Sequence, residues 1–264
     1  MTEAPSELLS MFDLSGSVAV VTGGHGDLGE AIADALAQLG CSVGVCARKL
    51  EACEEVAHRL VSRYGVKAMA LAVDVSDEDD VERLVSTVSA ELGSIDVAVN
   101  SAATFWGAAP EDVPTERGWR RVLDVNLTGT FLVCRATGRQ MLAAGRGSII
   151  NISSVGGLKS YMPEIGSTLS YTTSKGAIIS LTRDLAAQWA SRGVRVNAIA
   201  PGQMDAGMTH TIPSERQDRM NAQIPMHRQG HPSEIQGAVA YLASRASSYV
   251  TGTVLVVDGG QAIV

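Results

Sequence analysis

Tyr171 and Lys175 are the residues whose types and spacing point most directly to proton chemistry. They stand four residues apart in a stretch, YTTSKGAIISL, that favours a helix, so both side chains would lie on one helix face. An ammonium group about 4 Å from a phenol favours the phenolate by up to ~4 kcal/mol at an effective dielectric constant of ~20, whereas burial of the phenol acts in the opposite direction. An exposed tyrosine–lysine pair on an ordinary helix has the same spacing. The pair alone therefore allows two interpretations, an acid–base pair and a surface pair.

The elements that would position this pair alternate regularly along the chain. Runs of small and β-branched residues predict buried strands at 17–22, 42–47, 67–73, 95–99, 148–152, 194–199 and 253–257. Amphipathic segments predict helices at 30–39, 50–64, 77–92, 115–144 and 232–244, and another that contains Tyr171. This alternation predicts an α/β, Rossmann-type fold: a doubly wound, seven-stranded parallel sheet with helices on both faces, in a single domain. Ligands would bind at the carboxyl ends of the strands.

Composition and charge argue against several classes of protein. A chain of 264 residues, 45% of them hydrophobic, can close one sizeable core. A net charge of -7 without any Lys/Arg-dense stretch argues against nucleic-acid binding. No apolar run approaches the ~20 residues of a membrane span, and the first seven residues carry acids, so we expect neither membrane insertion nor secretion.

The cysteines and histidines carry no metal or disulfide pattern. The five histidines are scattered, so we predict no metal site. The four cysteines lack C-x-x-C spacing, and we interpret them as reduced thiols of a cytoplasmic protein. They are Cys41, Cys46, Cys53 and Cys134.

A glycine-rich turn at residues 23–29 joins the first predicted strand to the first predicted helix. Such a turn presents backbone N–H groups and a helix N-terminus to an anion such as a pyrophosphate. An ordinary tight turn is the alternative, but the position after the first strand of an α/β alternation favours dinucleotide binding.

This turn and the later motifs resemble those of the classical short-chain dehydrogenases/reductases, over about residues 14–260. Thr22, Gly23 and Gly29 match the family's T-G-x-x-x-G-x-G turn, but Asp27 replaces the middle glycine. We interpret Asp27 as the N-cap of the following helix. The alternative is that its carboxylate crowds or repels the pyrophosphate.

The resemblance implies a nicotinamide dinucleotide, and the residues after the second strand bear on which one. Arg48 and Lys49 follow Ala47, where NAD enzymes generally carry an acid for the ribose hydroxyls. We therefore predict NADP(H) over NAD(H), with a solvated charge pair at the start of the next helix as the alternative. Thr209 is a candidate contact because Ala206 replaces the family's threonine. The implied cofactor-binding set is Gly23, His25, Asp27, Leu28, Arg48, Lys49, Asp74, Val75, Asn100, Ala102, Tyr171, Lys175, Pro201, Gly202 and Thr209.

Four residues match the family's catalytic tetrad in order: Asn126, Ser154, Tyr171 and Lys175. The resemblance implies that Ser154 binds the substrate oxygen, that Tyr171 transfers the proton and that Lys175 favours the phenolate and holds the nicotinamide ribose. Asn126 is implied to hold a water that relays protons. The alternatives are a strand-end serine satisfying a turn and a mid-helix asparagine bonded to the backbone. The four matches together favour catalysis, namely reversible hydride transfer between a ketone or aldehyde and a secondary alcohol.

The substrate side is expected in two irregular stretches. Residues 203–231 are rich in methionine and suggest a lid, with an ordinary packed excursion as the alternative. With Phe105, Trp106, Tyr161 and Met162 they imply a mostly apolar pocket for a small carbonyl or alcohol. An acyl-carrier substrate is disfavoured, since of the two arginine positions used for that partner one is near Arg139 and the other near Ala187. Resemblance to gluconate 5-dehydrogenase-like and 3-oxoacyl reductase-like members is too loose to name a sugar acid.

Assembly and two competing functions complete the sequence-based predictions. Residues 1–13 would form an arm and residues 14–264 the domain, which the resemblance implies assembles as a homotetramer. One alternative is an NAD(H)-dependent polyol or sugar-acid dehydrogenase. The other is a catalytically silent nucleotide-binding scaffold, motivated by Asp27 in the phosphate turn.

Overall fold

The computed structural model describes residues 7–160, 167–207 and 214–264. Within these ranges seven parallel strands form one sheet in the order β3-β2-β1-β4-β5-β6-β7. The strands are β1 Val18–Thr22, β2 Ser42–Ala47, β3 Ala68–Ala72, β4 Val97–Asn100, β5 Gly147–Ile152, β6 Val194–Pro201 and β7 Val254–Val257. The predicted Rossmann-type fold is confirmed. The order reverses between β1 and β4, so the carboxyl ends of these two strands open a crevice at Thr22 and Asn100.

The helices cover both faces of this sheet. They are α1 Glu7–Ser10, α2 Asp27–Gln38, α3 Leu50–Tyr64, α4 Glu78–Glu91, α5 Arg121–Leu123, α6 Gly129–Ala144, α7 Leu169–Trp189, α8 Ser214–Ala222 and α9 Gln236–Ala243. Two predicted bounds are wrong in detail. Helix α2 begins three residues before the predicted start, and the last predicted helix is divided into a 3-10 turn, Pro232–Ile235, and α9. None of the described helices is both long enough and apolar enough to cross a membrane.

Successive residues of β1 pack into different apolar layers, which explains its uninterrupted apolar sequence. Ala19 and Val21 face the layer that contains α2, α3 and α9, whereas Val18 and Val20 face the layer that contains α4 and α6. A strand buried on both faces has no solvent-facing positions for polar residues. Packing on both faces therefore fixes the positions of the strands and of the residues at their carboxyl ends.

The predicted uninterrupted helix at 115–144 is wrong. Two π-helical segments, Thr115–Arg120 and Asp124–Thr128, flank α5 before α6 begins. Close packing accompanies the change, because a Cβ on Gly129 would lie 2.7 Å from Val75 Cγ2. Widened turns of this kind are frequent at functional sites, and the second one contains Asn126.

Candidate active site

Lys175 and Tyr171 lie against each other on α7, as their four-residue spacing predicts. The Lys175 Nζ atom lies 5.5 Å from the centroid of the Tyr171 ring. The same atom donates a hydrogen bond of 2.7 Å to the Ile152 carbonyl oxygen at the end of β5. Only 2% of Lys175 is exposed, and this burial lowers the pKa of its ammonium group to about 8. The ammonium is thus held beside the phenol, which is partly accessible.

Ser154 follows β5, which ends at Ile152, and is also buried. Its Oγ accepts a 3.1 Å hydrogen bond from the Gly156 N–H, so the hydroxyl proton can still be donated to a ligand. Ser154 is the N-cap of the 3-10 turn Val155–Gly157. This turn packs closely on α7, since a Cβ on Gly157 would meet the Lys175 backbone at 2.7 Å. Ser154 therefore has a structural role in the turn and an orientation fixed relative to α7.

Asn126 connects the second π-helical segment to the other elements of the site. Its Oδ1 accepts from the Thr104 N–H at 2.8 Å, and its Nδ2 donates to the Thr104 carbonyl at 2.9 Å and to Ser174 Oγ at 3.0 Å. Ser174 Oγ in turn donates to the Tyr171 carbonyl at 2.7 Å. Both Nδ2 protons are used in these contacts. The chain of bonds fixes the turn of α7 that carries Tyr171, and Ser174 was missed as a site residue because a serine inside a helix gives no sequence signal.

The glycine-rich turn at residues 23–29, which we call the phosphate turn, is built against the end of β4. Gly23 has φ +66°, and a Cβ there would approach the Ala102 backbone to 2.8 Å. Thr22 Oγ1 accepts hydrogen bonds from the N–H groups of Ser101 and Ala102, at 3.1 and 3.2 Å. A Cβ on Gly29 would lie 2.1 Å from the Gly23 carbonyl oxygen, so helix α2 starts directly on the turn. The motif residues thus form a tight cradle of backbone atoms, and Leu28 is the second residue of α2.

The interpretation of Asp27 as an N-cap is wrong. Gly26 is the N-cap of α2 and Asp27 is the first helical residue. The Asp27 carboxylate instead accepts a hydrogen bond of 2.5 Å from the Gly207 N–H, in the segment after β6. A carboxylate at the first helical position is one residue too late to cap its own helix, and its oxygen points across the site.

Two buried polar atoms beside this cradle support the binding of a dinucleotide. His25 Nδ1 and Asn100 Oδ1 are buried and have no hydrogen-bond partner among the described residues. Such atoms are costly unless a ligand or water pairs with them. The turn N–H groups would hold the pyrophosphate, and the end of β4 would face the nicotinamide half.

Asn100 also begins a buried amide chain beneath the site. Its Nδ2 donates to Asn151 Oδ1 at 2.8 Å, and Asn151 Nδ2 donates to Thr182 Oγ1 on α7 at 2.9 Å. Cys134 Sγ lies 3.4 Å from Asn151 Oδ1, and burial raises the pKa of this thiol to about 12. These hydrogen bonds join β4, β5 and α7, and the protonated Cys134 thiol packs against them.

The two predicted cations and a hydrogen-bonded acid follow the carboxyl ends of β2 and β3. Arg48 and Lys49 are exposed at the end of β2. The Asp74 carboxylate accepts from Ser76 Oγ at 2.6 Å and from the Arg121 guanidinium at 3.2 Å. Burial raises the pKa of Asp74, but these hydrogen bonds outweigh it and hold the pKa below its ordinary value. Arg121 was not predicted, because it lies 47 positions away from Asp74.

The remaining predicted residues line the edge or lie outside the described part of the chain. Val75 packs against Gly129, and Pro201 ends β6. Gly202 donates to the Val257 carbonyl at 2.9 Å, which fixes the start of the segment beyond β6. Three predicted residues lie outside the described residues: Thr209, Tyr161 and Met162. The described residues contain no cluster of metal ligands.

A cavity of about 590 Å³ opens beyond the 3-10 turn Val155–Gly157. Its wall includes Lys159 and Ser160, which follow Ser154 closely in the sequence, and polar groups of Gln223 and Gln261. Lys159 Nζ donates to the carbonyl oxygen of Gln261 at 2.5 Å. Ala222, Pro225 and Val264 complete the wall, and most of its surface is apolar.

Comparison with known proteins agrees with this geometry. The chain matches the family model described as enoyl-(acyl carrier protein) reductase over residues 25–262. It is 37% identical over 266 residues to D-threitol dehydrogenase of Mycolicibacterium smegmatis, with 100% of both chains covered. It is 39% identical over 259 residues to galactitol 2-dehydrogenase (L-tagatose-forming) of Cereibacter sphaeroides, with 96% of this chain and 98% of that enzyme covered. A crystal structure of a gluconate 5-dehydrogenase from Burkholderia cenocepacia, in complex with NADP and tartrate, has a TM-score of 0.91 at 31% identity and covers 97% of this chain and 99% of that one.

The fold and the strand-end site define an oxidoreductase that uses a nicotinamide dinucleotide. The chain belongs to the short-chain dehydrogenase/reductase family, whose members among these relatives act on CH–OH groups. The enzyme therefore has a small-molecule alcohol or carbonyl substrate.

Proposed function

We propose that the enzyme interconverts a secondary alcohol and its ketone with NADP(H) and that Tyr171 is the acid–base group. One observation carries this proposal: a buried ammonium, Lys175, lies against the Tyr171 ring beside the carboxyl ends of the strands. A buried cation disfavours its own charged form and favours a neighbouring anion, here the phenolate.

The residues divide the work as follows in the direction of ketone reduction. Ser154 Oγ donates a hydrogen bond to the substrate oxygen and holds it next to the Tyr171 hydroxyl. Tyr171 gives its proton to that oxygen as the carbonyl carbon is reduced, and Lys175 stabilises the phenolate that remains. Asn126, through Ser174, holds the turn of α7 that carries Tyr171. The nicotinamide, when bound, supplies the hydride.

The preference for NADP(H) is supported by the two exposed cations at the end of β2. A 2′-phosphate carries extra negative charge, for which Arg48 offers a planar donor fork and Lys49 a mobile ammonium. Ala47, at the end of β2, provides no carboxylate for ribose hydroxyls. The NADP in the similar gluconate 5-dehydrogenase structure agrees with this proposal.

Dissociation constants for NADPH and NADH, measured by fluorescence titration, test this preference. The double variant Arg48→Ala/Lys49→Ala should weaken NADPH binding about 10–100-fold, since two charge-assisted contacts are lost, and should change NADH binding about threefold or less. Arg63→Ala, which removes an arginine that stacks on Tyr64 at the far end of α3, is the matched control. Tighter binding of NADH than NADPH by the wild type would contradict the proposal.

A polyol or sugar-acid substrate with NAD(H) is the second candidate. The relatives named for threitol and galactitol favour polyhydroxylated substrates. Turnover of a panel of polyols, hydroxy acids, simple ketones and simple secondary alcohols with both cofactors separates the two candidates. The alternative of a catalytically silent scaffold is not retained, because the relatives are dehydrogenases that act on CH–OH groups.

We also propose a homotetramer, a substrate lid at residues 203–231 and a cytoplasmic location. The tetramer is supported by the partly exposed apolar strand β7 at the sheet edge, and the location by four free, buried thiols. Residues 208–213 of the lid segment lie outside the described residues, and the lid is supported by Met226, an apolar side chain that is exposed.

A further inference from the structure

The start of helix α2 is the part of the site where this chain departs from its family's turn. The first intrahelical bond of α2 runs from the Glu30 N–H to the Gly26 carbonyl at 2.8 Å. The N–H groups of residues 27–29 therefore have no partner within the helix and face the phosphate turn. Such a helix end attracts an anion. The Asp27 side chain places a carboxylate at this helix end.

The Asp27 carboxylate is bonded across the site. Its Oδ2 accepts from the Gly207 N–H at 2.5 Å, a contact between residues 180 positions apart. The Gly207 segment is held on its other side, because Met204 pairs with Gly230 and the Asp205 N–H donates to the Gly230 carbonyl at 2.9 Å. The carboxylate thus joins the phosphate turn to the segment that follows β6.

We propose that Asp27 is an internal competitor of the cofactor pyrophosphate and thereby sets the affinity for the dinucleotide. This inference rests on the proposed use of a nicotinamide dinucleotide. The carboxylate and the pyrophosphate carry the same sign of charge and depend on the same helix end. The Gly207 N–H is a donor that a phosphate oxygen could otherwise take. Binding of the dinucleotide therefore breaks the Asp27–Gly207 bond, and the carboxylate weakens binding of NADPH and NADH equally, since the pyrophosphate is common to both.

Two variants of Asp27 separate the effect of its negative charge from the effect of its hydrogen bond with Gly207. Asp27→Asn removes the charge and keeps an oxygen that can accept from Gly207, whereas Asp27→Gly removes both and restores the family's glycine. Glu91→Gln is the matched control, because it removes one exposed acid at the far end of α4. Fluorescence titration should give about 10–100-fold tighter binding of both NADPH and NADH for each Asp27 variant. The NADPH-to-NADH ratio should stay unchanged, and the control should stay within about twofold of the wild type.

Hydrogen exchange of the free protein provides a readout that does not depend on activity. Mass spectrometry of a peptide containing Gly207 should show slow exchange at this amide in the wild type and faster exchange in Asp27→Gly. Asp27→Asn should fall between them, since the amide oxygen is a weaker acceptor than a carboxylate.

The outcomes separate this inference from the cofactor preference. Unchanged or weaker binding in both Asp27 variants, or equal exchange at Gly207 in wild type and Asp27→Gly, would overturn the role of Asp27. Equal tightening for both cofactors without an NADPH preference would support Asp27 and contradict the proposed NADP(H) specificity. Failure of the wild type and both variants to bind either cofactor would overturn both proposals.

Discussion

At the scale of single residues, the site contains a buried ammonium group, which lowers the stability of the fold, and contacts that hold it in place. Lys175 is buried, and its ammonium donates to the Ile152 carbonyl and faces the Tyr171 ring. Burial lowers the pKa of this ammonium from its ordinary 10.5 to about 8. Charged groups are rarely kept in such places without a function. We therefore expect Lys175 to lower the free energy of unfolding while it places a cation beside the phenol.

Lys175→Met tests this trade-off through the free energy of unfolding. The lowered pKa corresponds to a cost on the order of 3 kcal/mol at neutral pH, and the variant leaves the buried Ile152 carbonyl unpaired at a cost of about 1–3 kcal/mol. The variant should therefore be as stable as wild type or up to about 2 kcal/mol more stable at pH 7, and should lose turnover. Between about pH 8 and 10.5 the unfolded wild-type chain binds more protons than the folded one, so wild-type stability rises with pH and the difference shrinks. Urea unfolding of both proteins from pH 7 to 10 measures this, and a less stable variant at pH 7 would contradict it.

The residue scale also shows which contacts the sequence could predict. The spacing of Tyr171 and Lys175 indicates their proximity because both lie on one helix. The partner of Asp27 could not be predicted, because Gly207 lies 180 positions away and the carboxylate binds only its backbone N–H. Nearly every residue has a backbone N–H, so the residue type does not indicate which one binds a carboxylate.

At the scale of elements, the widened turns before α6 position the site. Asn126 lies in the π-helical segment Asp124–Thr128, and its carbonyl accepts from Thr130 Oγ1 at 2.7 Å. Its side chain bonds both backbone groups of Thr104 and reaches Ser174 on α7. The strands could be predicted from their apolar runs. The π-helical segments could not, since the residue types of Thr115–Arg120 and Asp124–Thr128 do not distinguish π-helical from α-helical hydrogen bonding.

Asn126→Ala should therefore lower both stability and turnover. It leaves the N–H and carbonyl of Thr104 unpaired, which we expect to cost about 2–4 kcal/mol. Asn197→Ala is the matched control, because Asn197 is equally buried and bonds the Val250 carbonyl and the Thr253 N–H, both just before β7. Both variants should lose stability in denaturant titrations. At a temperature where both are folded, only Asn126→Ala should lower kcat, by about tenfold or more. Equal kcat values for the two variants would exclude a positioning role for Asn126.

At the scale of the whole molecule, the sheet order explains why the site has this shape. The reversal between β1 and β4 opens the crevice, and the right-handed crossovers expected between parallel strands place helices on both faces. The alternation of elements was enough to predict this. Assembly was inferred from the family resemblance alone, but β7 ends the sheet with partly exposed valines, and an apolar edge of this kind favours a second copy of the chain.

Val256→Glu tests the proposed assembly. Val256 is 39% exposed on β7, whereas Val61 is 45% exposed on α3 near the opposite edge. A carboxylate at Val256 would be buried without a partner in the interface, so the assembly should dissociate to smaller species. Light scattering after size-exclusion chromatography should give four chains per particle for wild type and for the control Val61→Glu, and fewer for Val256→Glu. The same mass for all three proteins would contradict a β7 interface.

The measurement that tests the central claim most directly is turnover by Tyr171→Phe. Phenylalanine keeps the ring against Lys175 and removes only the hydroxyl, so NADPH binding should change about threefold or less. Loss of the proton donor should lower kcat with the best substrate from the panel by about 100-fold or more. Turnover within about threefold of the wild type, with cofactor binding intact, would show that Tyr171 does not transfer the proton.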